Sequence, residues 1–395
     1  MSRRLEWQSV FDEVLLRGLV VEGILSTEKR AKLLVAAASV PPREGACDAA
    51  YWFGICPDVG RAAAHVLEER SVRHMTSRVI HIETTSKGDT TKFVTELQDG
   101  LKIETCIMRK GTTRTRSTVC VSCQVGCSMA CKFCATGTLG LLGNLTSGEI
   151  IEQFVRANAL EPIRNVVYMG MGEPLANYAA VISSIHQLCE QKVHHVAPHR
   201  ITLSTVGFDP RLIEDLINDV PDVSLALSLH APNQLIRDQI VPTSTKVPLH
   251  SLLKAAFQFV DYQRALSAKK GKRQMLFIEY CMLRNVNDSE NCAKELAQLL
   301  KPWKDRAIIN LIPYNPTDVS IDFEPPDQTA VWRFHHILKS DHGFQAFVRQ
   351  EHGQVRTYSC HRALKQRQVG GKATESKPGT APRGGARIRM HHART

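Results

Sequence analysis

The sequence predicts an α/β protein whose main body is a partial, open (β/α)6-type barrel. Short apolar runs alternate with helical runs about six times after residue 118, which is typical of parallel strands joined by helical crossovers. Residues 118–356 supply about six or seven such units, whereas a closed barrel has eight. A third observation points to a functional centre in this body, because five of the twelve cysteines lie between residues 120 and 134.

Two smaller parts are predicted to precede the barrel. Residues 1–78 form a helical accessory domain, with helices expected at 11–24, 29–39 and 61–75. Residues 79–117 form a small β-hairpin extension. Its two strand-like runs, 91–97 and 101–108, flank Asp99-Gly100, a residue pair that is common in hairpin turns.

The barrel region contains seven strand candidates and six helix candidates. The strands are predicted at 119–122, 165–169, 200–204, 223–229, 275–282, 308–313 and 344–349. The helices are predicted at 147–160, 178–191, 210–219, 251–264, 288–300 and 329–340. Sheets of this kind bind ligands at the carboxyl ends of their strands, so we expect the chemistry in the loops that follow the strands.

Positive charge is concentrated at the C-terminus. The formal net charge of the chain is +11, and residues 361–395 hold nine Lys or Arg against one acid, Glu375, for a net +8. We predict a loop over 357–365 and a disordered basic tail over 366–395, because a segment rich in Gly, Pro, Lys and Arg cannot bury a core. Two roles stay open for the tail: a solubilising end, or an arm that adds affinity for RNA.

The sequence contains no predicted membrane span, since none of its apolar runs reaches the required length of about 20 residues. The best candidate, residues 14–25, is interrupted by Arg17 and Glu22. The first residues lack the apolar segment of a secretory signal, and Glu6 and Asp12 disfavour a mitochondrial presequence. We therefore expect a cytoplasmic protein without a membrane partner, or an organellar one if the source is eukaryotic.

A CxxxCxxC run, formed by Cys127, Cys131 and Cys134, follows the first predicted barrel strand. Three thiolates at this spacing can hold an iron–sulfur cluster and leave one iron open for a ligand that is not protein. Zinc is the alternative metal, although a structural zinc ion takes four ligands and no second CxxC pair is present. In a reducing compartment, such a dense group of cysteines favours metal or redox chemistry over structural disulfides.

Six further motifs occur in order along the chain. They are Cys120-Val-Ser-Cys-Gln-Val-Gly-Cys127, Asn165-Val-Val-Tyr-Met-Gly-Met-Gly-Glu-Pro-Leu175, Leu203-Ser-Thr-Val-Gly207, Ser228-Leu-His-Ala-Pro-Asn233, Arg237-Asp-Gln-Ile-Val-Pro242 and Asn310-Leu-Ile-Pro-Tyr-Asn-Pro316. With the CxxxCxxC run they resemble the radical S-adenosylmethionine superfamily and, within it, the RNA adenine-C2 methyltransferases of the RlmN/Cfr family. The resemblance extends from about Glu104 to Pro316, which is about half of the chain.

The resemblance implies two cofactors. A 4Fe-4S cluster would be held by Cys127, Cys131 and Cys134, with its open iron chelating S-adenosylmethionine. Two molecules of S-adenosylmethionine would be used per turnover. The cofactor contacts implied at the strand ends are Gly172, Glu173, Ser204, Ser228, Leu229, His230 and Asn315.

The resemblance also implies a reaction that passes through two further cysteines. The methyl group is first placed on one cysteine, which corresponds to Cys360, and is then added to the adenine ring. The other cysteine, Cys120, attacks the sulfur of the protein–RNA adduct and releases the product as a disulfide forms. Glu104 matches the acid expected to accept the C2 proton. The segment around Cys360 departs from the family pattern, since it lacks an acidic pair and an Ala-Ala-Cys-Gly-Gln string.

The implied function is methylation of carbon 2 of an adenine in large-subunit rRNA and in tRNA. The expected partners are rRNA, tRNA or both, together with an electron donor such as flavodoxin or ferredoxin, and the chain is expected to be a monomer. Two alternatives stay open. One is methylation of adenine at C8 by a member of the same family, and the other is an iron–sulfur RNA-binding protein whose methyl-transfer step is impaired.

Overall fold

The computed structural model describes residues 3, 8–38, 47–109, 117–267, 274–316 and 322–349. The predicted loop at 357–365 with Cys360, the predicted tail at 366–395 and the end of the predicted barrel region, 350–356, lie outside the described residues. In the described ranges, no helix combines the length and the apolar character that a bilayer crossing requires.

The N-terminal part is helical, as predicted, but it holds one more helix than the sequence indicated. Its helices are α1 (Glu13–Val21), α2 (Glu28–Ala38), α3 (Ala49–Ile55) and α4 (Arg61–Glu69), and two short parallel strands, β1 (Gln8–Ser9) and β2 (Val72–Arg73), flank them. The unpredicted helix, α3, is short and begins where the Asp48 carboxylate accepts a hydrogen bond of 2.7 Å from the Tyr51 N–H. Its Trp52 is fully buried, so tertiary packing stabilises a segment too short to show a helical period.

The remaining strands form one large sheet and one small one. The strands are β3 (Arg78–Thr84), β4 (Thr90–Glu96), β5 (Lys102–Met108), β6 (Ser117–Cys120), β7 (Gln124–Gly126), β8 (Leu141–Asn144), β9 (Ile163–Tyr168), β10 (Ile201–Thr205), β11 (Ser224–Ser228), β12 (Leu276–Met282), β13 (Ala307–Pro313) and β14 (Gln345–Val348). The helices that accompany them are α5 (Ser147–Leu160), α6 (Tyr178–Cys189), α7 (Pro210–Asp219), α8 (Gln234–Ile240), α9 (Leu249–Ser267), α10 (Glu290–Leu300) and α11 (Gln328–His336).

The large sheet confirms the predicted open barrel. Across the described residues its order is β14-β13-β12-β11-β10-β9-β6-β5-β4-β3. In this sheet, β6 and the strands β9 to β14 pair only in parallel with one another. They are the seven strands that the sequence predicted. The order is linear and does not return on itself, so the sheet is open.

The predicted hairpin is present, and it is part of the same sheet. β4 and β5 pair antiparallel around Asp99-Gly100, and β3 adds a third antiparallel strand that the sequence analysis did not identify. β5 then pairs antiparallel with β6. The extension and the barrel therefore share one continuous surface.

The two faces of this sheet differ in character. Directly opposed residues on neighbouring strands share a face, and successive residues alternate between faces. One face carries fully buried side chains, including Leu203, Leu225, Ile278 and Ile309. It lies under the helices, as shown by the 2.7 Å hydrogen bond between the Tyr168 hydroxyl on β9 and Ser184 on α6. The opposite face, called the inner face below, carries more polar side chains and is partly accessible to solvent.

A buried carboxylate fixes the connection between the N-terminal part and the barrel. Glu152 on α5 accepts hydrogen bonds from the N–H and hydroxyl of Thr76, at 2.8 and 2.9 Å. It also accepts from the Ser77 N–H at 3.1 Å and from the Ser77 hydroxyl. Four donors thus converge on one buried group just before β3 begins.

Replacing Glu152 should destabilise the protein through this connection. Glu152→Ala leaves the four donors without their acceptor, so we expect a loss of about 3 kcal/mol in the free energy of unfolding. Urea denaturation followed by circular dichroism measures it. Glu214→Ala, at an exposed position of α7, is the matched control and should stay within about 0.5 kcal/mol of the parent. Equal stability of the two variants would contradict the structural role of Glu152.

A histidine packs between the N-terminal part and the barrel. The ring of His194 lies 5.1 Å from the ring of Phe154 on α5 and 6.4 Å from that of Phe11, measured between centroids. Its Nε2 is buried and has no hydrogen-bond partner among the described residues. Burial lowers the pKa of His194 to about 4, so the ring is neutral at physiological pH.

This histidine should make stability depend on pH. Between its unfolded pKa of about 6.5 and its folded pKa, only the unfolded chain binds the proton, so stability falls as pH falls through that window. In His194→Phe, we expect the loss of unfolding free energy between pH 7 and pH 4 to be smaller by about 3 kcal/mol. Denaturation series at several pH values test this. His342→Phe, at an exposed site, should keep the parent slope, and an unchanged slope in His194→Phe would refute the assignment.

Candidate active site

The loops at the carboxyl ends of the parallel strands are joined to one another by backbone hydrogen bonds. The N–H of Cys123, after β6, donates to the Met171 carbonyl after β9 at 2.9 Å. The N–H of Leu229, after β11, donates to the Glu279 carbonyl on β12 at 3.0 Å. The Tyr314 N–H, after β13, donates to the Met282 carbonyl at 3.0 Å. The predicted strand-end residues are therefore brought to one edge of the sheet.

The CxxxCxxC loop begins at a tight crossing of β7 and β8, which pair antiparallel. Gly126 has a φ of 75°, and a Cβ there would stand 1.8 Å from the Gly140 carbonyl oxygen, so only glycine fits. The next residue, Cys127, donates its N–H to the same carbonyl at 2.9 Å. Further along, the Lys132 N–H donates to the Ile240 carbonyl at the end of α8, also at 2.9 Å. The loop is thus held at its first cysteine and again between its second and third cysteines.

The three thiols of this loop lie near one another. Cys127 and Cys131 are buried, and Cys134 is partly exposed. Burial raises the pKa of Cys127 to about 12, and the neighbouring Cys134 thiol contributes to the rise. Burial also raises the pKa of Cys131, with further increases from Cys134 and Cys127 and a decrease from Arg237. These thiols need a bound cation to become thiolates, since a coordinated thiol loses its proton.

The donor set of this loop suits an iron–sulfur cluster, because three cysteine thiolates can hold such a cluster and leave one iron open, whereas a structural zinc ion takes four protein ligands. Among the described residues, no group of three or more His, Cys, Asp or Glu side chains is arranged to hold a metal ion. In addition, the buried Nε of Arg237 has no hydrogen-bond partner among the described residues. A cationic donor next to Cys131 suits an anionic cluster.

Gly172 and Glu173 form a turn after β9 that packs against β7. Gly172 has a φ of 103°, and a Cβ there would lie 2.6 Å from the Gln124 Cβ, which explains the glycine. The Gln124 side-chain oxygen accepts the Glu173 N–H at 2.9 Å. The Glu173 carboxylate is buried and accepts the N–H groups of Leu175 at 3.1 Å and Val206 at 2.9 Å. Burial raises the pKa of this carboxyl, and the hydrogen bonds partly offset the rise.

Ser204, Ser228 and Leu229 meet at the ends of β10 and β11. The hydroxyl oxygens of Ser204 and Ser228 are 3.3 Å apart, and both side chains project from the inner face. The Leu229 side chain is fully buried, so its contribution to the strand-end surface comes from its backbone.

His230 is held as a neutral imidazole with a defined tautomer. It has a φ of 59° and is buried. Its Nδ1 accepts the Cys281 N–H at 3.0 Å, so the ring carries its proton on Nε2. Its ring meets that of Phe133, between Cys131 and Cys134, edge-on with centroids 4.7 Å apart. Burial lowers the pKa of His230 to about 3 and the nearby Arg237 lowers it as well.

Arg237 on α8 is a central residue of the site that sequence reasoning quoted only as part of a motif. Its fully buried guanidinium donates to the Val206 carbonyl after β10 at 2.6 Å, to the Ser228 carbonyl at 3.0 Å and to the Leu229 carbonyl. Burial lowers its pKa to about 10, which leaves it charged. One cation thus joins two strand ends, and it does so from the helix whose last carbonyl, at Ile240, binds the cysteine loop. A buried arginine between two carboxyl-end loops has no local sequence signal.

Asn315 follows β13 and is exposed. A different asparagine of the same motif, Asn310, lies on the inner face, where its side-chain N–H donates to the Glu279 carboxylate at 2.8 Å. Ser228, Glu279 and Asn310 are directly opposed on neighbouring strands. Glu279 and Asn310 carry no sequence signal that marks them as inner-face residues, and the strand register identifies them.

Cys120 and Glu104 lie on the same inner face. Cys120 is opposed by Val167 on β9, which is opposed by Thr202 on β10. Glu104 lies two residues from Cys106, the direct partner of Cys120 on β5. β5 runs antiparallel to β6, so the step from Cys106 to Glu104 leads toward the carboxyl ends of the barrel strands. There, the Ser122 hydroxyl donates to the Glu104 carbonyl at 2.7 Å.

The Glu104 carboxylate has a cationic partner that was not anticipated. The Nζ of Lys92 on β4 is 3.1 Å from the Glu104 Oε2, and both side chains are about one-fifth exposed, at 21% each. Lys92 lies directly opposite Cys106 in the sheet. Its position depends on hairpin register, which a sequence pattern does not specify for a single lysine.

Comparison with known proteins gives three consistent findings. Residues 121–261 match the Radical SAM superfamily. The chain is 42% identical over 283 residues to the probable dual-specificity RNA methyltransferase RlmN of Thermotoga neapolitana, which covers 71% of this chain and 77% of that protein. It is 41% identical over 288 residues to the dual-specificity RNA methyltransferase RlmN of Marinobacter nauticus, with 70% and 73% covered.

A solved structure agrees with these sequences. The crystal structure of a radical SAM methyltransferase from Sphaerobacter thermophilus superposes with a TM-score of 0.74 and 34% sequence identity. The alignment covers 88% of this chain and 96% of that one. The shared part includes far more than the cysteine loop.

Arg237→Lys should weaken the site although it keeps the charge. A lysine ammonium cannot span carbonyls on two strands as the planar guanidinium does, so we expect the unfolding free energy to fall by about 2–3 kcal/mol. S-adenosylmethionine should bind more weakly, as measured by equilibrium dialysis. Arg211→Lys is the control, because the Arg211 side chain is 85% exposed. If both variants match the parent in stability and binding, Arg237 does not organise the strand ends.

Proposed function

The chain belongs to the RlmN family of dual-specificity RNA methyltransferases, a radical S-adenosylmethionine family, and from this we propose that it methylates carbon 2 of adenine in large-subunit rRNA and in tRNA. The observation that carries the specific proposal is the shared inner face of the sheet. It presents Cys120 and Glu104 from the extension side and Ser204 and Ser228 from the barrel side, so that the residues proposed for the reaction and those proposed for the cofactor lie on one surface.

The chemistry explains why thiols are needed. Adenine C2 is electrophilic, so it does not accept a methyl cation directly. The bound cluster and S-adenosylmethionine supply a carbon-centred radical, and the protein must supply the carrier of the methyl group. We assign this carrier role to Cys360, which lies outside the described residues.

Cys120 is assigned the resolving role. Its thiol is on the inner face beside the strand that leads into the cysteine loop, and burial raises its pKa. It is therefore kept as a thiol in the resting protein. When the base is covalently attached, Cys120 loses its proton and its thiolate attacks the sulfur of the carrier cysteine. The carbon–sulfur bond breaks with its electron pair passing to the attached carbon, which takes a proton and becomes the methyl group, and a Cys120–Cys360 disulfide forms.

Glu104 is assigned the proton-accepting role at C2. Its carboxylate is held by Lys92 and lies on the strand-end side of Cys106, close to where the resolving thiol acts. A general base needs to be within hydrogen-bond reach of the proton that it removes. The location of Glu104 on the inner face supports this assignment.

The cofactor contacts follow the strand ends. Cys127, Cys131 and Cys134 would hold three irons of a 4Fe-4S cluster, and the remaining iron would chelate S-adenosylmethionine, with two molecules used per turnover. The residues assigned to this second cofactor are Gly172, Glu173, Ser204, Ser228, Leu229, His230 and Asn315. Hydrogen bonds that fix Glu173 and the His230 tautomer support a preorganised site.

The remaining parts of the proposal concern partners. We assign the RNA contact in part to the basic C-terminal segment, with its net charge of +8 over residues 361–395, because such charge adds affinity for phosphates. A flavodoxin or ferredoxin would donate the electron. The protein would act as a monomer in the cytoplasm.

The product isomer tests the reaction. Purified protein with a reconstituted cluster is incubated with rRNA or tRNA, S-adenosylmethionine and a reductant, and the nucleosides are then separated by mass spectrometry. We expect 2-methyladenosine. Detection of 8-methyladenosine would move the reaction to C8. RNA binding without methylated RNA or S-methylcysteine at Cys360 would identify a binding protein instead.

Two cysteine variants should stop at opposite stages. Cys360→Ala has no carrier, so no protein–RNA adduct should form. Cys120→Ala can load the methyl group and attach to the base but cannot release it, so a covalent protein–RNA species should survive denaturing electrophoresis. Cys189→Ala, a partly exposed thiol on α6, is the control and should turn over as the parent does. Normal turnover in Cys120→Ala or an adduct in Cys360→Ala would break the assignment.

A further inference from the structure

A second cysteine faces Cys120 across the sheet. Cys106 on β5 is the direct Cα partner of Cys120 on β6 in an antiparallel pairing. Directly opposed residues in antiparallel strands have Cα atoms about 4.5 or 5.5 Å apart, depending on the hydrogen-bonding pattern. Disulfides occur at Cα separations of about 4.4–6.8 Å. The backbone therefore already has the spacing of a disulfide, while both residues are free thiols in this structure.

Both side chains point to the inner face, where the proposed chemistry occurs. Opposed residues of a sheet share a face, and each of the two cysteines is partly accessible. The other nearby thiol, Cys123, is fully engaged elsewhere, since it is buried and donates to the Met171 carbonyl with a sulfur–oxygen distance of 3.6 Å. Of Cys106 and Cys123, Cys106 is therefore the thiol placed to react with Cys120.

The surroundings favour Cys106 as the attacking thiol. Lys92 lies directly opposite it on β4 and provides a positive charge beside the sulfur. Burial raises the pKa of Cys106 to about 11, with a decrease from Lys92 and a smaller increase from Glu104, whereas burial raises the pKa of Cys120 further. The thiolate is the nucleophile in exchange reactions. Of the pair, Cys106 loses its proton more readily.

We infer that Cys106 is the exchange partner of Cys120, and that the two close into a cross-strand disulfide that regenerates the methyl-carrying cysteine after each turnover. This inference rests on the proposed function, which leaves a Cys120–Cys360 disulfide at product release. Until that bond is broken, Cys360 cannot accept another methyl group.

The exchange is balanced in atoms and electrons. Cys106 releases its proton to solvent, and its thiolate attacks the sulfur of Cys120. The Cys120–Cys360 bond breaks, the Cys106–Cys120 bond forms, and Cys360 leaves as a thiolate that takes a proton from solvent. The number of disulfides is unchanged. A dithiol reductant then reduces the cross-strand bond and becomes a disulfide itself, as expected in a reducing compartment.

The disulfide can be tested without any turnover. Full-length protein carrying its cluster is equilibrated anaerobically with mixtures of oxidised and reduced dithiothreitol, quenched with acid, alkylated and digested with trypsin. Cleavage after Lys102 and Arg109 isolates Cys106 in peptide 103–109, and cleavage after Arg116 and Lys132 places Cys120 in peptide 117–132. We expect these two peptides to be linked, with fragment spectra locating the bond at Cys120. The link should be absent in Cys106→Ser and Cys106→Val and present in Cys189→Ser.

Kinetics then test the role in turnover. In Cys106→Ser and in Cys106→Val, which suits a strand, the first turnover should proceed at the parent rate. The steady-state rate should be about tenfold lower, and the Cys120–Cys360 disulfide should accumulate in non-reducing digests. The split between an intact first turnover and slow later ones separates an exchange role from a folding defect, which would affect both.

The outcomes distinguish this inference from the proposed function. Failure to detect the Cys106–Cys120 link at any redox ratio, or a parent steady-state rate in both Cys106 variants, would overturn the inference and leave the methyltransferase proposal intact. If wild-type protein forms the link but methylates neither Cys360 nor RNA, the proposed function is overturned and the exchange step fails with it.

Discussion

The site depends on the two-residue alternation of side chains within one continuous sheet. Each strand sends every second residue beneath the helices, where Leu203, Leu225 and Ile278 are fully buried, and the residues between them to the inner face. The covered face provides the apolar burial that stabilises the sheet. The inner face is therefore free to carry serines, a carboxylate and thiols, which would weaken a core. Because the strand order is linear, the sheet does not close on itself around this face.

The strand-end loops must also provide hydrogen-bond partners for polar groups that are buried away from water. Unpaired buried donors and acceptors are costly, and paired ones are fixed in place. Arg237 satisfies carbonyls from two strand ends at once, while Glu173 accepts backbone N–H groups from its own turn and from Val206. The cysteine loop is held by separate backbone bonds, from Cys127 to Gly140 and from Lys132 to the end of the helix that carries Arg237. The bonds that satisfy the buried groups therefore also preorganise the strand ends beside this loop.

The antiparallel extension adds Cys106, one member of the proposed reactive pair, to this frame. β5 joins β6 by direct pairing, so the inner face of the barrel continues into the extension without a break. A single row of opposed residues runs from Lys92 through Cys106 and Cys120 to Thr202. Segments distant in the sequence thus contribute adjacent side chains. This continuity places the Glu104 carboxylate, the Lys92 ammonium and two thiols beside the strand ends where the cofactors are proposed to bind.

The sequence by itself determined the seven parallel strands, six of the seven accompanying helices, the hairpin at Asp99-Gly100 and the cysteine run, because periodicity, turn chemistry and motif spacing are local properties. It did not reveal the helices α3 and α8 or the strands β3, β7 and β8, which are short or weakly patterned and depend on packing and pairing. Nor did it reveal Lys92, Cys106, Arg237 or the pair of Glu279 and Asn310. Arg237 acts from helix α8 on the carbonyls of two strand ends. Each of the others lies on a strand and matters through its neighbour on another strand, and a shift in register of one residue would turn its side chain to the opposite face. Only the tertiary structure decides that register, because it results from burying one complete face of the sheet beneath the helices.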